Sequence, residues 1–280
     1  MAYALTFDGA NDYVTVNPSL SISSFTVSFL LKWDDLGTDS VQFICESATR
    51  GQFMCHLGGG AGNNGIRFSL SYISAANTLD VTGIIEAGIN RYTITYDGTT
   101  VKMYRNGVLI SSKAVSWPTV PVSTLYLGAR EKSRYFLDGD LMDFRVFNYA
   151  LTENELNAIK NSVLAGNEAG LILYYKMDEG SGTTLNDTSP SGKNGTISGA
   201  VWTNIISSVS GIVTDANGDP AARTVRVYDR NTGALIISGV SNATTGEYNL
   251  ATGVVSEVLI VGLSPNADEN ALVRDRVVPN

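Results

Sequence analysis

Oxygen-bearing side chains gather at two places in this 280-residue chain. Asp8, Asn11 and Asp12 follow the first apolar run, and Asp138, Asp140 and Asp143 fall at and within a later one. Hard cations such as calcium take six to eight oxygens from carboxylates and loop carbonyls. A structural Ca2+ with ligands drawn from Asp8, Asn11, Asp12, Asp140 and Asp143 is the cofactor this spacing suggests. The competing explanation is that Asp8-Gly9 and Asp138-Gly139 only make turns. Asp178, Asp187 and Asn194 form a second, weaker oxygen-rich set within a polar loop.

Catalytic constellations are harder to find. A retaining glycosidase needs two carboxylates roughly 5 Å apart, which on one strand means alternating acids. No Glu-x-Asp-x-Glu run exists, Glu46 stands alone, and Asp140 and Asp143, three residues apart, are expected on opposite faces of a strand. His56 is the sole histidine, so a Ser-His-Asp triad would depend on it without an acid nearby in sequence. Gly58-Gly59-Gly60 lacks the lysine of a phosphate loop and reads as a hairpin connection. No catalytic or cofactor-binding residue is assigned, and the expectation is a non-enzyme.

Cys45 and Cys55 sit in a readable hairpin, Val41–Glu46 and Gln52–Leu57, turning about Arg50. That register sets the two cysteines opposite each other. Alternation places Phe43, Cys45, Phe53, Cys55 and Leu57 on one face, and Gln42, Glu46, Gln52 and His56 on the other. Reduced buried thiols are expected in a cytoplasmic product, while a cross-strand disulfide stays geometrically open. With His56 pointing away, a Cys/Cys/His zinc site is not expected. Trp33, Tyr72, Trp117, Tyr135 and Trp202 are the aromatic candidates for a sugar platform, although core or edge packing is the commoner role for each.

The elements that must position these residues are mostly strands. Alternating runs at Tyr3–Phe7, Tyr13–Val16, Phe25–Trp33, Ile66–Tyr72, Arg91–Tyr96, Val101–Tyr104, Leu125–Leu127 and Leu141–Phe147 are separated by turn residues, including Asp97-Gly98 and Asn106-Gly107. One helix interrupts them. Thr152 and Glu155 make a capping box, Leu156, Ile159 and Val163 repeat at helical spacing, and Gly166 is the expected stop. Strand signals return at Leu171–Met177 and Gly195–Trp202. After Ser207-Ser208 a new set of short strands runs to the C-terminus: Val209–Thr214, Arg223–Tyr228, Leu235–Val240, Glu247–Leu250, Val254–Leu263 and Ala271–Val278. The predicted class is all-β: an antiparallel jelly-roll sandwich with one short helix over 1–206, whose late edge segment is 170–203, then a small β-sandwich over 207–280.

Composition narrows the partners. A hydrophobic fraction of 44% supports a packed core. The net charge of −8 and the absence of any Lys/Arg cluster argue against nucleic acid. The most apolar windows, such as Val254–Leu263, fall short of a membrane span. No basic and apolar leader precedes Ala4–Phe7, so synthesis in a cytoplasm without a secretion signal is expected.

Two resemblances add to this reading. Ala4-Leu5-Thr6-Phe7-Asp8-Gly9-Ala10-Asn11-Asp12-Tyr13-Val14, the Phe25–Trp33 run, the Tyr96–Gly107 hairpin and Asp138–Thr152 resemble concanavalin A-like, laminin G-type jelly rolls over nearly all of 1–165. That family's pairing of last and first strands implies that the two aspartate groups converge on one cation. Tyr174–Thr184 resembles an edge segment of the same family that often precedes the first strand, whereas here it follows the whole jelly roll. Ser210–Asp215, Ala222–Tyr228, Thr245–Tyr248 and Asn270–Pro279 resemble a small sandwich of tailed-bacteriophage virion proteins. The opening strands of that unit are also similar to carboxypeptidase-regulatory-like domains. Together these imply a structural protein on the virion surface, in capsid decoration or at the tail. Its expected partners are other virion proteins, copies of itself as a trimer, and a host cell-surface glycan. The alternative is a secreted bacterial lectin-like carbohydrate-binding module.

Overall fold

A computed structural model describes residues 2–33, 41–49, 51–58, 64–70, 76–205, 208–215, 217–230, 232–252, 258–263 and 272–277. Arg50, Gly59, Gly60, Tyr72, Ser207, Asn231, Ala271, Val278 and residues 254–257 lie outside the described residues. The fold is all-β with antiparallel sheets and, among the described residues, one short helix, and the chain divides into two compact units, Tyr3–Thr203 and a unit built from Asn204–Asn280 with Met1–Ala2.

Two eight-stranded sheets dominate the larger unit. The first runs in the order Val108–Ala114, Thr100–Arg105, Asn90–Tyr96, Phe25–Trp33, Asp138–Phe147, Ala2–Asp8 and Val201–Ile205, with Leu171–Tyr175 also paired to Asp138–Phe147. The second runs Thr184–Leu185, Gly195–Ser198, Tyr13–Val16, Leu125–Leu127, Gln42–Ser47, Met54–Leu57, Ile66–Ser69 and Leu79–Val81. Their apolar faces share one core, which includes Phe25, Val27, Phe29 and Leu31 from one sheet and Val14, Val16, Leu125 and Leu127 from the other. Strict alternation in Phe25–Trp33 produces this face: Thr26 and Ser28 point away from the core, and Thr26 binds the Tyr149 carbonyl at 2.9 Å.

Residues 170–203 finish both sheets. Leu171–Tyr175 pairs with the Phe144–Phe147 end of the long strand, while Ala2–Asp8 pairs with its Asp138–Leu141 end. Gly195–Ser198 pairs with Tyr13–Val16. Asp187 holds the loop between them together. Its Oδ1 accepts from the amides of Tyr174 and Ser189, each at 2.9 Å, and its Oδ2 accepts from Ser191 Oγ at 2.6 Å and the Lys193 amide at 2.7 Å.

The helix spans Glu153–Ile159, and its capping box forms as the sequence predicts. It ends earlier than the helical spacing suggests. Lys160 is the C-cap, and Arg145 donates to the carbonyl oxygens of Ile159 at 2.8 Å and Ser162 at 2.5 Å, satisfying acceptors that further turns would have used. Val163 is therefore not on the apolar face but 76% exposed. Gly166 is not the stop; it lies where a Cβ would stand 2.2 Å from the Thr188 carbonyl oxygen.

In the smaller unit, Ser208–Ile212 pairs with Glu247–Ala251, and a four-stranded sheet runs Leu235–Val240, Thr224–Asp229, Val258–Leu263, Leu272–Val277. Its core includes Val209, Val225, Val227, Tyr248, Val258 and Ile260. Among the described residues no helix is long and apolar enough to cross a membrane.

Candidate functional site on the outer face of the second sheet

The core face of the second sheet is fixed by Val14, Val16, Leu125 and Leu127. Period-two alternation therefore turns Tyr13, Thr15 and Tyr126 outward. Register lines up a row across five strands: Thr184 opposite Thr196, Thr196 opposite Thr15, Thr15 opposite Tyr126, and Tyr126 opposite Glu46. Ser198 stands opposite Tyr13 in the next row. Three hydroxyls thus lead to Tyr126 and on to a carboxylate, with Tyr13 in the adjacent row.

A tight turn rises over this row. The Arg130 amide donates to the Arg134 carbonyl at 2.9 Å, and the Ser133 amide to the Arg130 carbonyl at 3.1 Å. The exposed Lys132 at its tip brings Nζ to 5.3 Å from the Tyr126 ring centre and 5.8 Å from that of Tyr13, a range in which an ammonium is attracted to the ring face. The strand leading to the turn comes close enough to Phe7 that a Cβ on Gly128 would stand 2.2 Å from that ring, and Gly128 holds a φ of +80°. Only glycine meets both conditions cheaply.

Beyond the tyrosines the face is covered. Arg130 Nε lies 3.6 Å from Oε1 of the fully buried Glu46, which also accepts from the Gly51 amide at 3.1 Å. The Arg130 guanidinium lies over the rings of Phe43 and Tyr135, at 5.3 and 5.7 Å. Phe43 stacks on Tyr135 at 6.0 Å and on His56 at 5.0 Å. His56 stands opposite Arg67, and Arg67 opposite Asp80, which it grips through Nε at 2.5 Å and Nη2 at 3.1 Å. Burial pushes the His56 imidazole down to about 4, the Leu57 carbonyl opposes this, and Arg67 adds to the depression.

The hairpin departs from expectation at Gln42 and Phe43, which exchange faces. Cys45 does face Cys55, and both are free and buried in the core. A bulge between Phe43 and Cys45, however, puts Ile44 beside Cys45 in the core and turns Phe43 out against His56. An inserted residue reverses alternation on one side of the bulge.

The five candidate cation ligands, by contrast, are drawn into separate arrangements. Asp8 Oδ1 accepts from the Ala10 amide at 2.9 Å, and Asp12 Oδ2 accepts from the Asp8 amide at 3.0 Å. Burial raises the Asp12 carboxyl above its usual range, and the neighbouring Asp8 charge adds to this. Asn11 is exposed in the same turn. Asp140 accepts from Thr6 Oγ1 at 2.5 Å and faces Lys32 Nζ at 3.5 Å. Asp143 is ion-paired to Arg91 at 2.8 Å and to Arg145 at 2.5 Å. A bulge between Met142 and Arg145 brings Asp143 onto the outer face that Asp140 also occupies, rather than the opposite one. No group of three or more His, Cys, Asp or Glu that could hold a metal ion occurs among the described residues. Asp140 and Asp143 already have cationic partners, so these five residues do not fit a single calcium cage. Asp187, in the second set, spends its oxygens on the loop that carries it, and Asn194 accepts from the Asp187 amide at 2.9 Å.

Of the aromatic candidates, Trp33 is buried with Nε1 donating to Gln42 Oε1 at 2.9 Å, and Trp117 packs 4.7 Å from the Tyr96 ring. Trp202 is half-buried and donates to the Gly182 carbonyl. Tyr135 is 41% exposed, and Tyr72 lies outside the described residues. Sequence reasoning passed over Tyr13 and Tyr126. Alternation within Tyr13–Val16 and Leu125–Leu127 carried the signal, since valine and leucine there leave tyrosine the solvent side.

The comparisons with known proteins agree with this architecture. A family model described as the concanavalin A-like lectin/glucanases superfamily, laminin G type, matches residues 8–157. A Bacteroides ovatus protein proposed to bind carbohydrate is 23% identical, with a TM-score of 0.60, over 72% of this chain and 60% of that one. The chain thus spans three fifths of that relative's length. Domain 4 of an extracellular arabinanase from Geobacillus stearothermophilus, solved with arabinotriose, is 20% identical over 55% of this chain and 75% of that one, with a TM-score of 0.44. A heptameric pentraxin from Limulus polyphemus is 16% identical over 56% and 81%, with a TM-score of 0.42. At these identities the likeness is one of fold. No curated protein sequence matches the chain. With just over half of its residues matched by that model, and with the two-sheet sandwich that carries them, the chain belongs to the concanavalin A-like lectin/glucanase superfamily.

Proposed function

We propose that this protein is a carbohydrate-binding module that takes its ligand on the outer face of the second sheet, at Tyr13 and Tyr126. The observation that carries this reading is the row in which Thr196 and Thr15 run directly into Tyr126, with Ser198 beside Tyr13. A sugar ring presents an apolar C–H face and a rim of hydroxyls. Half-exposed tyrosines give the first a surface, and serine and threonine hydroxyls give the second both donors and acceptors. The family to which residues 8–157 belong, and the carbohydrate role proposed for the Bacteroides ovatus relative, support the same class.

The reading is non-enzymatic. The acids on this face, Glu46 and Asp80, are engaged by Arg130 and Arg67. Neither is left as a proton donor beside a nucleophile in the manner of a glycosidase pair. No comparison supports the virion-surface reading, and the family found for 8–157 favours the carbohydrate-binding module over it.

A glycan array probed with the full chain, followed by titration calorimetry on the best hit, tests the proposal. Tyr126→Ala should weaken binding at least tenfold while leaving the thermal midpoint within a few degrees of the parent. An array blank for every neutral and acidic glycan would overturn it.

A further inference from the structure

Resting on that reading, we infer that the sugar recognised at Tyr13 and Tyr126 carries a negative charge, a carboxylate or a sulfate, and that Lys132 is the residue that selects it. The chain as a whole is acidic, at −8, which would repel such a ligand. Locally the sign reverses: Arg130, Lys132 and Arg134 stand within five residues that hold one acid, Glu131. That acid is engaged by Arg134 at 3.0 Å, and Arg130 faces Glu46. Among the described residues no carboxylate pairs with Lys132, whose ammonium instead lies against two tyrosine rings.

The backbone that holds it there is strained. Glu131 and Lys132 both adopt left-handed conformations, with φ of 53° and 61°. The Ser133-to-Arg130 hydrogen bond makes this a mirror-image turn, where asparagine and glycine are the favoured occupants. A glutamate and a lysine at these positions sit where side-chain-bearing residues rarely go, and such strain collects at ligand clamps. A neutral sugar on the tyrosines would gain no ion pair from this ammonium. An anionic sugar would: its acid group would meet Nζ while its hydroxyls reach the threonine row.

Two variants separate charge from strain. Lys132→Met removes the charge and keeps the bulk. Lys132→Gly removes the charge and also relaxes the turn. Each is run on an array of matched neutral and acidic glycans and, by calorimetry, against trigalacturonate, a sulfated galactan oligomer and neutral galactotriose; the first two arms distinguish carboxylate from sulfate. The parent should prefer an acidic arm over galactotriose by at least tenfold, and the preference should shrink as salt rises. Both variants should lose it, and Lys132→Gly should melt at a higher temperature than the parent. A parent that binds neutral glycans as well as acidic ones, or a Lys132→Met variant that keeps its preference, would overturn the charge assignment and leave sugar binding standing. A parent that binds neither class would overturn both.

Discussion

Asp143 and Arg145 lie two residues apart on one strand and still form a two-pronged ion pair, Nε to Oδ1 at 2.5 Å and Nη2 to Oδ2 at 2.6 Å. The left-handed backbone of Asp143, φ 48°, makes this geometry. Arg91 closes on the same carboxylate from the neighbouring side at 2.8 Å. Two guanidiniums that are 5% and 1% exposed thus depend on one acid. Removing one partner of a buried pair leaves an uncompensated charge, at roughly 3–5 kcal/mol. Asp143→Ala should lower the denaturation midpoint by a corresponding amount, and an unchanged midpoint would show that water compensates both arginines.

The same carboxylate sets an acid limit. Burial raises its pKa, and Arg91 and Arg145 overcome that, so the folded value lies below the usual aspartate value. A depressed folded pKa gives stability that is present above the unfolded value and lost as pH falls through the folded one. The Asp143→Asn variant should therefore show a weaker loss of stability below pH 4 than the parent, measured by urea denaturation at fixed pH.

His56 acts over a higher window. Its folded pKa is about 4 against 6.5 in the unfolded chain, so the unfolded state takes up a proton first as pH falls. Stability should hold above pH 6.5 and decline between 6.5 and 4, by about 3 kcal/mol for a shift of that size. As His56 is the sole histidine, its ring signals can be followed by NMR without assignment, and a midpoint near 6.5 in the folded protein would refute the burial argument.

Cys45 and Cys55 should be silent toward alkylation in the native state. Burial pushes the Cys45 thiol to about 12 and Cys55 well above its usual value, and the thiolate is the reactive form. Iodoacetamide at pH 8 should add nothing to the folded protein and two groups in denaturant, read by intact mass.

Thr152→Ala removes the side chain that accepts from the Glu155 amide at 3.3 Å. The cost should be about 1 kcal/mol, seen as a small midpoint shift with the sugar-binding face unaffected.

Much of the fold was legible because its signals are local. Alternation gave Tyr13–Val16, Phe25–Trp33 and Leu125–Leu127 with the bounds observed, and the capping box needed only Thr152 and Glu155. What escaped the sequence depends on partners distant along the chain. Phe43 leaves the core because a bulge lets it meet Tyr135, ninety-two positions on. The helix stops where Arg145 takes its last carbonyls. Asp143 changes face through a backbone conformation that its residue type only weakly suggests. Lys132 joined the site through a turn whose composition argues against the turn itself, and no periodicity could have placed it over Tyr13 and Tyr126.

The late return of residues 170–203 to both sheets bears on how the molecule is made. Until Leu171–Tyr175 emerges, the Phe144–Phe147 end of the central strand has one open edge, and until Gly195–Ser198 emerges Tyr13–Val16 lacks a neighbour. A nascent chain holding only the 8–157 region therefore exposes unpaired strand edges in both layers, the condition that invites intermolecular pairing. In sedimentation velocity, a fragment trimmed to 8–157 should aggregate, whereas one reaching past Ile205 should not.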